Sequence, residues 1–412
     1  MPAFLTHWRV LIETARQNQD AGQELGSLLL DASALRRRAH GWVAPAQTTA
    51  TGAIWNTGPL PDVDFGFPGS DISAMAFLGA LAPDISLYQK LHLKDAMSGE
   101  RLRARLEHQQ ATVGRMHWSE LLHTQRSGDI LIAFLELIAE IPSPALRSQA
   151  LAFTMGYLSH IAADIALHPC INALAATYRQ SDIPHAFQRI GPHFYVELCL
   201  DEYIASTYFN STGARAGWTG QPWAQYIAPA ARNFTRRPTF SAPILAQLTQ
   251  AAEITYHLDE TQATAFRVDH LAGLQQLQRY LAGHDISRLL TLYALRKNRV
   301  REQIIATIAA GEGEPGTITF EQAIGYAIRL STRFCRNAIN FYAALRNPNV
   351  SAGERRDKRA ILCADLRNWN LDTGYAFDVT FDEEVTLHVL HNWMHFAELW
   401  EQKASTSTPP TP

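Results

Sequence analysis

His160, Asp164 and His168 recur at four-residue intervals in the run Gly156-Tyr157-Leu158-Ser159-His160-Ile161-Ala162-Ala163-Asp164-Ile165-Ala166-Leu167-His168-Pro169. At 3.6 residues per turn, this spacing stacks two imidazoles and a carboxylate along one helix face. Leu151, Phe153, Met155, Leu158, Ile161, Ile165 and Leu167 surround them and leave almost no solvent-facing side, so residues 146–168 read as a buried helix. Ionisable groups in such surroundings must be paired with one another or bound to a cation. A His-Asp-His donor set suits a borderline divalent metal, zinc first. The alternative is a core cluster that hydrogen-bonds only to itself.

A second stripe follows in Gly191-Pro192-His193-Phe194-Tyr195-Val196-Glu197-Leu198-Cys199-Leu200-Asp201. Pro192 suits a first helical turn, and His193, Glu197 and Asp201 again share a face. The spacing alone is common; its position one helix after the first stripe gives it weight. Upstream lie Thr6-His7-Trp8, Gly79-Ala80-Leu81-Ala82-Pro83-Asp84-Ile85 and Met116-His117-Trp118. Singly, a histidine beside a tryptophan reads as packing, and an aspartate after a proline as a turn or cap.

In order, Thr6-His7, Gly79-x3-Pro83-Asp84, His117-Trp118, His160-x3-Asp164-x3-His168 and His193-x3-Glu197 resemble the zinc-dependent phospholipase C family. The wording comes closest to the branch that includes the catalytic domain of glycosylphosphatidylinositol phospholipase D, and it covers about residues 1–210. The resemblance implies an all-α catalytic domain with two or three Zn2+ ions that hydrolyses phosphodiesters. Carried over, His117, His160, Asp84 and Asp164 would hold one zinc, and His168, His193 and Glu197 a second. His7 and a bridging Asp164 would hold the third. Asp84 would be both ligand and general base.

Bacterial members of the family ligate zinc through the amine of their mature N-terminal residue. This chain starts Met1-Pro2-Ala3-Phe4-Leu5-Thr6-His7, without the charged and apolar regions of a signal peptide. Removal of Met1 would give the Pro2 amine the corresponding role. Zinc would make water a nucleophile at neutral pH and stabilise the charge that builds on phosphate oxygens. No Gly-x-Ser-x-Gly elbow, His-Glu-x2-His motif, Walker loop or dinucleotide fingerprint offers a competing chemistry.

The 412 residues are 47% hydrophobic, enough for a substantial core, and the net charge of −3 supplies no broad basic field for duplex nucleic acid. Arg36-Arg37-Arg38, Arg236-Arg237 and Arg355-Arg356-Asp357-Lys358-Arg359 read as solvated faces, with phosphate head-group contact as the alternative. Cys170, Cys199, Cys335 and Cys363 show no paired spacing, and Cys199 reads as a small core hydrophobe. No apolar run reads as a transmembrane segment. Cytoplasmic residence follows as the default, with secretion independent of a signal peptide as the alternative.

The expected organisation is a phosphodiesterase domain over 1–215, a helical extension over 216–403 and a disordered tail over 404–412. Helical spacing runs through 242–258, 263–282, 284–311, 318–346 and 352–366, and Gly311-Glu312-Gly313-Glu314-Pro315-Gly316 breaks it. The loop 43–72 is long enough to wall a substrate cleft, where Trp55, Phe65 and Phe67 would either meet acyl chains or pin the loop. A capping box at Thr380-Phe381-Asp382-Glu383 opens a last helix, whose His388, His391 and His395 sit on its polar side. Three functions fit: a zinc-dependent phospholipase C acting on phospholipids, with peripheral membrane contact; a single-strand nuclease of the same fold; and a metal-binding helical protein without turnover. Against the nuclease stands Ala166-Leu167-His168-Pro169, where that branch typically has Gln-Pro-Leu-His.

Overall fold

A computed structural model describes residues 4–20, 70–88, 118–179, 181–184, 191–204, 207, 242–282, 299–309, 319–372 and 374–376. His117, the basic runs at 36–38 and 236–237, the 311–316 breaker, the helix expected from Thr380 and the tail lie outside them. The loop expected over 43–72 is described only at its end, where Ser70 already begins a helix.

The all-α reading holds. The helices are α1 (Phe4–Asp20), α2 (Ser70–Gly79), α3 (Ile85–Tyr88), α4 (Trp118–Thr124), α5 (Ser127–Ala139), α6 (Pro144–Ala176) and α7 (Gly191–Ile204). Then come α8 (Ala242–Tyr256), α9 (Glu260–Ala282), α10 (Arg299–Ala309), α11 (Phe320–Arg346) and α12 (Ala352–Leu366). A 3-10 turn, Ala82–Asp84, precedes α3. No periodicity points to the one sheet among the described residues, a two-stranded antiparallel ladder of β1 (Trp369–Asn370) and β2 (Tyr375–Ala376).

Helix α6 is the axis. Its 33 residues span about 50 Å. Ser143 caps the start by accepting from the Leu146 amide, and Pro144 needs no amide donor there. By length and mean hydropathy α6 is apolar enough to cross a membrane, contrary to the expectation from sequence. Here the whole apolar window is buried inside the protein. Helices α1, α2, α7 and α11 pack directly on it.

The described helices on both sides of residue 215 pack into one apolar core. Arg9 of α1 donates from Nη1 and Nη2 to the two carboxylate oxygens of Glu321 on α11, and Arg301 of α10 donates from Nε and Nη2 to those of Glu202 on α7. A capping box of Thr319 and Gln322 starts α11. Trp118 of α4 donates to Asp269 of α9 at 2.9 Å. Elements after 240 therefore brace those before it.

Helix α2 crosses α6 at backbone contact distance. A Cβ on Gly156 would stand 1.9 Å from the Ala76 carbonyl oxygen, and one on Gly79 would stand 1.9 Å from that of Phe153. Only hydrogen fits at either position. Replacement Gly156→Ala should destabilise the fold by about 1–3 kcal/mol, read from urea unfolding; an unchanged midpoint would show that the crossing is not held at this distance.

Candidate metal centre

The α2–α6 contact brings the end of α2 beside the middle of α6. The Ala80 carbonyl accepts from His160 Nδ1 at 2.9 Å. One 3-10 turn later, Asp84 is delivered into the core at 2% exposure. The His160-Asp164-His168 face looks toward it, and α1, α4 and α7 close the remaining sides.

The ligand atoms converge around Asp164. Its Oδ1 lies 3.5 Å from His7 Nε2 and 3.8 Å from His168 Nε2. Its Oδ2 lies 3.0 Å from His160 Nε2 and 3.5 Å from His123 Nε2. Asp84 stands 3.4 Å from His123 and 3.6 Å from His160. Glu197 Oε1 faces His193 at 3.2 Å and His168 at 3.3 Å. Three groups have donor atoms close enough to share an ion: His7, His160 and Asp164; Asp84, His123 and His160; His168, His193 and Glu197.

The third group is the set expected from sequence, and His7 meets Asp164 as expected. In the other group the structure brings in His123, which sequence reasoning missed; His117 lies outside the described residues. The run His117-Trp118-Ser119-Glu120-Leu121-Leu122-His123 offers two histidines, and no spacing chooses between them. The one available hint is Ser119 four residues before His123, in place to hold its ring.

Four of the rings are held from behind in one way. Each Nδ1 donates to an oxygen: His123 to Ser119 O at 2.6 Å, His160 to Ala80 O, His168 to Leu371 O and His193 to Asn172 Oδ1 at 2.7 Å. That fixes the tautomer and aims each Nε2 lone pair inward, as metal-ligating histidines are held. His7 is held by stacking on His160, with centroids 4.0 Å apart and planes 8° from parallel. Its helix is anchored by Asp201, which accepts from the amide and hydroxyl of Thr6 at 3.1 and 3.0 Å. Burial lifts the Asp201 carboxyl to about 8 against those donors.

The residues fit a cation. Asp84 Oδ2 and His7 Nδ1 are buried without a hydrogen-bond partner, and three carboxylates sit together at 4% exposure or less. Burial opposes charge on His160 and His168. The carboxylates outweigh it: Asp164 and Asp84 hold His160 up at about 9, and Asp164 with Glu197 holds His168 up at about 10. Burial also opposes ionisation of Asp164 and Glu197, yet the neighbouring imidazoles depress both. Asp84 goes the other way, raised by burial despite His123 and His160. His7 is pushed well down by burial and by His160.

Two outcomes follow. In chelator-stripped protein His160 and His168 hold protons at neutral pH, because both values are raised. Zinc binding at pH 7–8 should therefore release about two protons, and apparent affinity should climb until pH passes about 10; calorimetry in buffers of different ionisation enthalpy measures this, and zero release would contradict it. Replacement His123→Ala should lower the zinc content of purified protein, while His117→Ala leaves it unchanged. If the two results swap, His117 is the ligand.

The model of the zinc-dependent phospholipase C family matches residues 50–236, a stretch that includes Asp84, His123, His160, Asp164, His168, His193 and Glu197 and leaves His7 upstream. No curated protein and no solved structure matches the chain. Over residues 50–236 the chain is therefore similar to the zinc-dependent phospholipase C family, the family its ordered motifs resemble.

Proposed function

We propose that this protein is a zinc-dependent phosphodiester hydrolase that cleaves phospholipids in the manner of a phospholipase C. The observation that carries the reading is the convergence of five imidazole Nε2 atoms and three carboxylates, with four rings fixed from behind by oxygen acceptors. When bound, zinc supplies Lewis acidity that polarises phosphoryl oxygens and makes water nucleophilic at neutral pH.

The residues divide the remaining work. Asp164 faces four histidines, and with His7, His123, His160 and His168 it would hold zinc. Asp84 Oδ2 has no hydrogen-bond partner, and burial raises its proton affinity, which suits a base that takes a proton from the attacking water. Burial of the surrounding side chains excludes bulk water, so charge developing on phosphate is stabilised more strongly than in solvent. The His193 side chain is 40% exposed, while those of the other four histidines are 8% or less. A phosphodiester head group is therefore expected to enter beside His193 and Glu197, its acyl chains remaining in the lipid surface.

Zinc-loaded protein incubated with mixed phospholipid micelles and single-stranded DNA should yield a chelator-sensitive head-group phosphomonoester by phosphorus NMR. Phosphatidic acid would mean cleavage on the other side of phosphorus, mononucleotides would mean a nuclease, and no new resonance would sink the hydrolase reading. Replacement Asp84→Asn should reduce kcat by at least about 10²-fold.

A further inference from the structure

Three of the five clustered histidines are connected to one short loop far along the chain. Between β1 and β2, Leu371 and Asp372 turn back over the C-terminal part of α6. The Leu371 carbonyl accepts from His168 Nδ1. The Leu371 amide donates to the His123 carbonyl at 2.7 Å, pinning the end of α4. The Asp372 carbonyl accepts from Asn172 Nδ2 at 2.9 Å, and the Oδ1 of the same amide receives His193 Nδ1 at 2.7 Å. Asn172 has one orientation that serves both partners, so the loop sets His193 through it.

The loop is itself built in. Leu371 and Trp369 are buried at 0% and 1% exposure. Ser127 donates to the Trp369 carbonyl at 2.6 Å, and Asn368 Oδ1 caps α5 by accepting from the amides of Gly128 and Asp129. Gly374, at φ +76°, closes the turn over Pro169 of α6. There Pro169 has no amide to offer the Ile165 carbonyl, and a Cβ on Gly374 would stand 2.7 Å from that oxygen. None of this loop lies within residues 50–236, the stretch that matches the family.

We infer that Leu371, Asp372, Gly374 and Asn172 are a positioning device for the metal centre, fixing His168 and His193 as ligands beside Glu197. The inference rests on the reading of the cluster as a metal centre. The loop touches no substrate; it acts through the rings, by holding each Nδ1 proton on an oxygen and each Nε2 toward the ion.

Cobalt titration of the full-length, chelator-stripped protein tests this, because visible Co(II) absorption reports ligand geometry independently of turnover. Asn172→Ala deletes the shared amide on a partly exposed side chain and should leave the fold intact. Gly374→Ala displaces the loop backbone from the opposite side. Both variants are expected to bind cobalt about 10- to 100-fold more weakly at one site, with an altered visible spectrum and wild-type circular dichroism. Wild-type spectra and affinities in a folded Asn172→Ala protein would overturn the positioning role, whatever Gly374→Ala does. If wild-type protein binds no cobalt, the metal-centre reading falls, and this inference with it.

Discussion

Three carboxylates held out of water in the middle of an apolar helical core must be neutralised from within the protein. Moving one such ion into the interior costs several kcal/mol even after relaxation, and three together rival the entire stability of an ordinary domain. His160 and His168, whose proton affinity these carboxylates raise, answer part of that demand, and a bound cation would answer the rest. That pairing is also why α6 can be apolar on nearly every side and still carry an ionisable stripe. His160, Asp164 and His168 answer to ionisable groups on α1, the Ala82–Asp84 turn, α4 and α7 rather than to solvent.

The imidazoles are useful only if their lone pairs point the right way, and this requirement reaches through the whole fold. His160 is aimed by a main-chain oxygen that the glycine-on-glycine crossing of α2 and α6 brings within reach. His123 is aimed by its own helix, whose end is pinned by Leu371. His168 and His193 are aimed by the turn after β1, directly and through Asn172. Helices α9 and α11, which carry none of the clustered residues, hold α4 and α1 against the centre through Asp269 and Glu321. The described helices after residue 240 thus brace the site built before it.

Much of this was legible in the sequence, for physical reasons that differ from place to place. The stripe on α6 was readable because period and burial point the same way: donors four apart inside an unbroken apolar helix have one geometry. The pairing of His193 with Glu197 needed only the next helix. The place of His123 in the cluster was not legible, since it depends on how a short helix is rotated, and that is set by Trp118 on Asp269 and by Leu371. The β1–β2 turn was equally hidden. Two-residue strands leave no alternation to detect, and the oxygen that matters at Leu371 belongs to the main chain, which is the same at every residue.

The account stands or falls on whether these side chains bind zinc together. X-ray absorption at the zinc edge of the zinc-loaded protein is the direct measurement. All four cysteines carry free thiols and none belongs to the cluster, so the account predicts a first shell of nitrogen and oxygen alone at about 2.0–2.2 Å, with a metal neighbour at about 3.5–4 Å. Sulfur scattering at about 2.3 Å, or zinc that washes off without reaching even one ion per chain, would contradict it.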